Sequence, residues 1–595
     1  MDLKRISDAN YTLNLSTRRV MIFFTLILGL LWILMYVMSS NYGYLLNPYF
    51  IHLHFAETIV LGVLLSKALK DRLNIASRKI LLICVLVLIA CVSVLLFERS
   101  EFGSVLLIAL IGFVSGFSGY YFRERSQVEN EKELSWLVSC FLIAVVLRVL
   151  VFSTPEVPYG YDTPNYLLLS LESSKKSLDE LIATGFSFSG DAYRDTWNFS
   201  MFWLGIFTKG LLGLGLDPIL IPKVIMPLIS SLSVFPFYFI ARETMDLKDA
   251  NFATLFFAFL PSEILFCDLY KEILGEFFVL LSLYFLIYFI NKKRIVGALL
   301  LVFSALFLWK VAVTAFTKFF MFGIVTLVFY SKKLNLGLSR LLVLFFVLAI
   351  LPLFVLPHIL HFELSPVKPG ISDPYTRFSF PIILLTDISV SIFAIYALLR
   401  GKGKVAYSFA ILLSIAIFSG ILSGLMGYRI FPSSNYLNTF RFSLYAGIPL
   451  SMLAGVGLSR FVDDIRVKGK VNSKNSELRK FVVLSVVFLL LFDFFLAASP
   501  TTTIHAPSRL YSYLSAEDFE KLGKVDYSGK SVYLVGNYSW SPDSKKFPAA
   551  NWIKYLVMYK TGTPLKNVES MDQVPHGAIA ITYADDRGVE IVVSD

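Results

Sequence analysis

The chain has little charge and little cysteine for its length. Only 16% of its 595 residues are charged, while 56% are hydrophobic. A water-soluble fold of this size could not bury so much apolar surface, so the composition excludes a soluble globular protein. The predicted fold class is a polytopic α-helical membrane protein.

Cysteine and metal-binding patterns are also scarce. The cysteines lie in or at the edge of apolar runs, and no CxxC pair or His-containing metal spacing accompanies them. They are expected to pack as small apolar residues and indicate neither disulfides nor a redox compartment. The net charge of +11 comes from short basic clusters between apolar runs. Such clusters orient membrane spans, so nucleic acid is not an expected partner.

Apolar runs long enough to span a bilayer recur along the chain. Basic segments such as Lys67–Lys79 and Arg123–Lys132 alternate with segments poor in Lys and Arg, which predicts a cytoplasmic N-terminus. The later basic clusters fall on the cytoplasmic side only if Trp197–Gly215 does not cross the membrane but rests on its surface as a helix. About fifteen spans are then predicted, near 20–39, 50–69, 79–97, 104–122, 134–153, 219–241, 251–266, 272–290, 295–311, 313–330, 341–356, 380–399, 405–425, 443–459 and 481–499.

This pattern predicts three parts of the chain. Residues 1–133 form an N-terminal four-helix membrane extension, and 134–499 form a core with a long outer loop, 154–218. Surface helices are expected in that loop over Ser173–Ile182 and Trp197–Gly215. Residues 500–595 are predicted to form a small extracytoplasmic α/β domain, with a strand at 531–535, a helix at 549–560 and a hairpin of strands 578–583 and 589–593.

Asp162 is the first candidate for chemistry. It lies in Pro158-Tyr-Gly-Tyr-Asp-Thr-Pro164, where the chain leaves a predicted span and enters the long outer loop. Its carboxylate is expected at the membrane interface near a lipid headgroup, and we interpret it as a catalytic acid or base. The alternative is a helix cap, because Asp-x-Pro is a common helix start.

A second acidic cluster follows in PSEILFCDLYKEILGEFF. Asp268, Glu272 and Glu276 recur every four residues, so they share one face of a helix, and Glu276 falls inside the membrane region. An ionisable side chain at that depth marks a functional site by default. The alternative is a structural ion pair in which Lys271 meets Asp268 or Glu272.

Two arginines and a lysine are candidates for binding a phosphate on the outer face. Arg441 opens a predicted span, Arg429 lies in the preceding loop, and Lys310 is near the outer end of its span. The planar guanidinium of arginine can bind two phosphate oxygens at once. The alternative is snorkelling of these side chains to ordinary phospholipid.

Together these features resemble the GT-C glycosyltransferases over residues 134–460. This superfamily includes the oligosaccharyltransferase catalytic subunit, the protein O-mannosyltransferases and the aminoarabinose transferases. The match lies in the early acidic residue Asp162, the second acidic motif at Asp268 and Glu272, and Arg441 in FRFSLYAGIPLSMLAG. The sequence departs from the family in having no WWD acceptor motif in its tail and no paired acidic motif in its first loop.

The resemblance implies transfer of a sugar from a polyprenyl phosphate of the dolichyl type, with inversion, to a protein, lipid or glycan acceptor. It implies catalytic roles for Asp162, Asp268 and Glu272, and leaves open a divalent metal, Mg or Mn, on Asp162 and Asp268. Lys271 and Tyr161 join Arg441, Lys310 and Arg429 as expected substrate-binding residues. The implied location is a cell membrane, as in an archaeal surface-glycan enzyme.

Two other classes of protein remain as alternatives. A flippase or other transporter of lipid-linked saccharides would also hold charges between helices, but it is expected to show repeated halves and broken spans near the midplane. A non-catalytic scaffold could display the C-terminal domain without a carboxylate cluster facing cations. Because the strongest charges cluster at the outer interface, the pattern favours a transferase.

Overall fold

A computed structural model describes most of the chain beyond residue 128. The described residues are 129–153, 155–160, 162–187, 192–260, 270–292, 295–331, 388–400, 405–415, 439–468, 485–486, 490, 513–538, 546–584 and 587–594. The predicted N-terminal extension therefore lies almost wholly outside the described residues, as do the predicted span 341–356 and most of 481–499.

Helices dominate the described membrane region. They are α1 (Glu129–Ser153), α2 (Thr163–Ser174), α3 (Leu178–Phe186), α4 (Ala192–Gly213), a π-helical turn (Ile221–Ile225), α5 (Met226–Leu232), α6 (Val234–Thr244), α7 (Leu247–Phe259), α8 (Tyr270–Lys292), α9 (Ile295–Val311), α10 (Val313–Phe329), α11 (Ile388–Arg400), α12 (Ala406–Ile415) and α13 (Thr439–Lys468). Spans predicted near 134–153, 272–290, 295–311 and 313–330 coincide with α1, α8, α9 and α10.

Four stretches in the described part of the chain are long and apolar enough to cross a membrane. They are Glu133–Ser153, Ile221–Thr244, Lys271–Lys292 and Tyr445–Asp464. This agrees with a multi-pass membrane protein, while the count of fifteen spans stays a prediction.

The helix ends gather at two opposite ends of the bundle. At one end Arg242 pairs with Glu133 at 3.1 Å, and Lys248 at the start of α7 pairs with Asp463 near the end of α13 at 2.7 Å. The predicted cytoplasmic clusters at 291–294 and 460–480 begin at this end. Asp162 and the start of α8 lie at the other end, and which end faces the cytoplasm stays a prediction.

The outer loop differs from its prediction. One helix was expected over Ser173–Ile182, but α2 ends at Ser174 and α3 starts at Leu178. The break is set by Ser177, whose side chain accepts from the Glu180 N–H while the Glu180 carboxylate accepts from the Ser177 N–H. This capping box satisfies two helix-end donors and starts a new helix. The helix predicted at 197–215 begins earlier, at Ala192.

Helix α3 carries an exposed apolar stripe. Leu178, Ile182 and Phe186 follow one another at intervals of four residues and are 54%, 44% and 47% exposed. Side chains at this spacing lie on one face of a helix. The stripe is consistent with the predicted position of the loop on the membrane surface.

The C-terminal region has the mixed composition of an α/β fold. It contains α14 (Ala516–Lys524), β1 (Val532–Val535), α15 (Lys546–Thr561), β2 (Lys566–Val568), a 3₁₀ turn (Met571–Gln573), β3 (Ile579–Ala584) and β4 (Gly588–Val593). The sheet order is β2-β1-β3-β4, with β1 parallel to both neighbours and β3 antiparallel to β4. The strand, helix and hairpin expected here lie at their predicted positions, and β2 and α14 were not predicted.

Close packing of α7 against α13 depends on a glycine. A Cβ on Gly455 would lie 2.4 Å from the backbone nitrogen of Ala253. Small residues allow such close approach between membrane helices. We expect Gly455→Ala to destabilise the protein by about 1–3 kcal/mol because the helices must move apart. Thermal unfolding in detergent measures this as a lower Tm.

The matched control is Gly323→Ala in α10. There an added Cβ would meet its nearest neighbour, Leu286, at an ordinary 3.7 Å. Equal Tm values for the two variants would contradict the importance of the α7–α13 contact.

Candidate functional site

Asp162 stands at the start of α2. Its carbonyl accepts from the Tyr166 N–H at 3.0 Å, and Pro164 occupies the first turn of the helix. The side chain of Asp162 makes no cap hydrogen bond. A capping residue normally has an extended backbone, whereas Asp162 has φ −88° and ψ −14°. The capping alternative therefore explains where the helix starts but not why a carboxylate is present.

The segment before Asp162 is held by packing. Tyr159 is partly buried, and its ring meets Phe152 of α1 edge to face at a centroid distance of 6.2 Å. Burial raises the pKa of the Tyr159 phenol. Gly160 has a φ of 107°, a backbone conformation that residues other than glycine rarely adopt. Tyr161, predicted to bind substrate, lies outside the described residues.

Two aromatic rings and a lysine join three helices above the bundle. Tyr166 of α2 stacks on Trp197 of α4, with centroids 5.5 Å apart and an interplanar angle of 18°. The ammonium of Lys271, in the first turn of α8, lies 5.5 Å from the centroid of Trp197. We call Tyr166, Trp197 and Lys271 the Trp197 column. It places the helix that begins at Asp162 beside the helix of the second acidic motif.

Lys310 is engaged by the outer loop. Its ammonium lies 3.7 Å from the Asp195 carboxylate and donates to the Ser187 carbonyl. The Lys310 side chain is 12% exposed and that of Asp195 is 1% exposed. The predicted phosphate-binding lysine thus ties the outer end of α9 to the loop helices.

Glu272 lies in a buried ionic cluster. Its carboxylate is 3.9 Å from the ammonium of Lys318 in α10, and both side chains are fully buried. Lys318 also lies 4.4 Å from the ring centroid of Tyr445 in α13. Glu276, one turn deeper in α8, is 1% exposed. We call Glu272, Lys318 and Tyr445 the Lys318 cluster.

The partner of Glu272 was not identified from the sequence. The ion-pair alternative named Lys271, but Lys271 lies on Trp197 and Lys318 meets Glu272. A lysine within the apolar run 313–329 was the available signal, because a charge at that depth requires a partner.

Arg148 was also missed. It is fully buried near the end of α1, and its Nη1 approaches the carbonyl of Ala258, in the last turn of α7, at 3.5 Å. A cation at the C-terminal end of a helix meets carbonyls that the helix leaves unpaired. Arg148 therefore lies where its guanidinium meets a carbonyl at the end of α7.

The remaining predicted residues are only partly placed. Arg441 lies in α13, one turn before Tyr445. Asp268 and Arg429 lie outside the described residues. Within the described part of the chain, no three His, Cys, Asp or Glu side chains are grouped as a metal site. The predicted pair of Asp162 and Asp268 stays a prediction.

The Lys318–Glu272 pair gives a prediction about stability. Lys318→Met removes the cation that lies 3.9 Å from the buried Glu272 carboxylate, so we expect a loss of about 3–5 kcal/mol. The double variant Lys318→Met/Glu272→Leu removes one charge of each sign and should recover part of this loss. Thermal unfolding of both variants checks the pair, and additive losses would show that it is not coupled.

Comparison with known proteins finds similarity only among solved structures. No protein-family model and no curated protein matches the chain. The apo oligosaccharyltransferase of Archaeoglobus fulgidus has 11% sequence identity and a TM-score of 0.45, covering 76% of this chain and 66% of that chain.

Two further structures of the oligosaccharyltransferase from this organism are similar. AglB in complex with an inhibitory peptide and a dolichol-phosphate has 12% identity and a TM-score of 0.44, covering 76% of this chain and 66% of that chain. The enzyme tethered to an acceptor peptide with the NVT sequon has 12% identity and a TM-score of 0.37, covering 76% and 65%. The matched region spans just under two thirds of those chains. In structure, this chain is similar to archaeal oligosaccharyltransferase.

Proposed function

We propose that this protein transfers a sugar from a polyprenyl-phosphate donor of the dolichyl type to an acceptor at the outer face of a cell membrane. One observation carries the proposal. The carboxylate of Asp162 is not used to cap its helix, yet the Trp197 column fixes that helix beside the start of α8. A carboxylate held in place at the end of a membrane bundle is suited to proton transfer.

Asp162 is the general base in this proposal. It takes the proton from the acceptor as the acceptor atom attacks the anomeric carbon of the sugar. The bond between that carbon and the phosphate oxygen breaks, and the phosphate leaves with the electron pair. Direct displacement of this kind inverts the anomeric centre.

Positive charge stabilises the departing phosphate. Arg441 is assigned this role because it opens α13 one turn before Tyr445, and Tyr445 belongs to the Lys318 cluster beneath the start of α8. Lys271 contributes to the same positive environment. Lys310 supports the site differently, since Asp195 and the Ser187 carbonyl engage its ammonium.

Glu272 takes a supporting role rather than a place in the proton transfer. Its side chain is fully buried and paired with Lys318, so it holds α8 against α10 instead of meeting an acceptor. Asp268 keeps the proposed role of orienting the acceptor. Mg or Mn held by Asp162 and Asp268 would add further charge stabilisation.

The acceptor is a protein, lipid or glycan. The C-terminal tail has no WWD motif, so an acceptor panel must include more than sequon peptides. In this proposal the N-terminus is cytoplasmic and the C-terminal α/β region is extracytoplasmic, on the same side as Asp162.

Asp162→Asn tests the base. We expect transfer of radiolabelled sugar from a polyprenyl-phosphate donor to fall by at least about 100-fold, because general base catalysis contributes about 10²–10⁴-fold. Membranes with matched protein levels would be compared. Asp179→Asn, an exposed acid in the same loop, is the control and should keep wild-type activity. Full activity of Asp162→Asn would show that another group is the base.

Arg441→Gln tests the phosphate contact. We expect kcat/KM for the donor to fall about 10–100-fold, since a hydrogen bond between charged groups contributes about 1.5–3 kcal/mol. Arg400→Gln, at the opposite end of the bundle, should leave donor kinetics unchanged. Equal kinetics for both variants would remove Arg441 from the proposed site.

A further inference from the structure

Helix α15 of the C-terminal region contacts the outer loop. This helix follows the loop by more than 300 residues in the chain. Its Tyr555 hydroxyl donates to the Asp217 carboxylate at 2.9 Å. Just beyond the helix, the Gly562 carbonyl accepts from the Lys175 ammonium. One short segment therefore contacts both the first helix of the loop and the end of the loop.

Asp217 organises the end of the loop. The oxygen that accepts from Tyr555 also accepts from the Ile219 N–H at 2.8 Å. That turn leads directly into the membrane stretch Ile221–Thr244. The Tyr555 hydroxyl thus ties α15 to the point where the chain re-enters the bundle.

The opposite end of α2 from Asp162 is held by the same helix. Lys554 of α15 is partly buried, and this burial lowers the pKa of its ammonium. The nearby Glu172 carboxylate opposes the shift but is the smaller effect. Glu172 and Lys175 lie at the C-terminal end of α2. Contacts from α15 therefore act on the helix that begins at Asp162.

The hydroxyl of Tyr555 can be separated from its ring. The ring is fully buried, meets Trp552 edge to face at 5.8 Å and stacks with Tyr559 at 6.1 Å. Phenylalanine would keep this packing and lose only the polar contacts of the hydroxyl. Because the ring packs on Trp552 and Tyr559 while the hydroxyl donates to Asp217, Tyr555→Phe tests the hydroxyl without changing the packing.

We propose that Tyr555 is a positioning residue for Asp162, and that α15 sets the position of the outer loop over the bundle. The effect of this positioning on catalysis rests on the proposed function. The C-terminal region then fixes the C-terminal end of α2, and through that helix it fixes the position of Asp162 at the other end. The chain order makes this dependence unusual, because the positioning helix and the base come from opposite ends of the described sequence.

The kinetic test compares Tyr555→Phe with wild type. We expect kcat to fall about 3–10-fold while KM for the donor changes less than about twofold, since a lost hydrogen bond misplaces the base without removing a donor contact. Tyr538→Phe is the matched control. Its hydroxyl bonds to the Val535 carbonyl within the C-terminal region, so kcat should stay at the wild-type value. An equal fall in both variants, or no fall in Tyr555→Phe, would overturn the proposal.

A second pair of variants tests the partner. Asp217→Asn keeps a carbonyl oxygen for Tyr555 and Ile219, so it should behave as wild type. Asp217→Ala loses both hydrogen bonds, so it should lower kcat at least as much as Tyr555→Phe. The double variant Tyr555→Phe/Asp217→Ala should be no worse than Asp217→Ala alone, because Asp217→Ala already removes the bond that Tyr555→Phe removes. Additive losses would show that the two residues act separately and would overturn the proposal.

A readout independent of transfer is trypsin cleavage after Lys175 and Lys176, which lie between α2 and α3. We expect cleavage of the folded full chain to be several-fold faster in Tyr555→Phe and unchanged in Tyr538→Phe. If wild type transfers no sugar from any donor, the proposed function fails, yet faster cleavage would still support the positioning of the loop by α15. Unchanged cleavage in Tyr555→Phe would overturn that positioning whether or not the enzyme is active.

Discussion

Burial of charge inside an apolar bundle is the constraint on which this structure depends. The ammonium of Lys318 is fully buried and is offset by Glu272 and by the ring of Tyr445. Removing such groups from water is costly unless partners are close. Helices α8, α10 and α13 must therefore meet at one level. That meeting point lies just below the start of α8, where the proposed reaction site begins.

The outer loop is positioned by different forces. Tyr166 stacks on Trp197, and Lys271 of α8 lies over the same Trp197 ring. These contacts hold the loop against the bundle from one side. Contacts from α15, including the hydrogen bond from Tyr555 to Asp217, hold it from the other. Asp162 stands at the start of the helix that both sets of contacts fix. If Asp162 is the base, as proposed, a helix held from two sides gives it little freedom to lose when an acceptor binds.

The two ends of the bundle have different chemistry. At one end, exposed or partly exposed ion pairs such as Arg242–Glu133 and Lys248–Asp463 join the helices. The other end carries buried charges, stacked aromatic rings and a carboxylate that caps nothing. Ion pairs in contact with water contribute little and suit a structural end. Buried charge is costly unless its partners are close, so the packing at this end is more tightly constrained.

The sequence by itself determined the membrane class and the positions of several spans, and it singled out Asp162 as a candidate, because hydropathy and local spacing are written in consecutive residues. It also indicated the strand, helix and hairpin of the C-terminal region. It could not identify Lys318 as the partner of Glu272, separate α2 from α3, or connect Tyr555 with Asp217. Those outcomes depend on which helices meet in space and on residues far apart in the chain. Only the tertiary structure decided them, since a buried charge or a hydroxyl takes whichever partner the packing brings within reach.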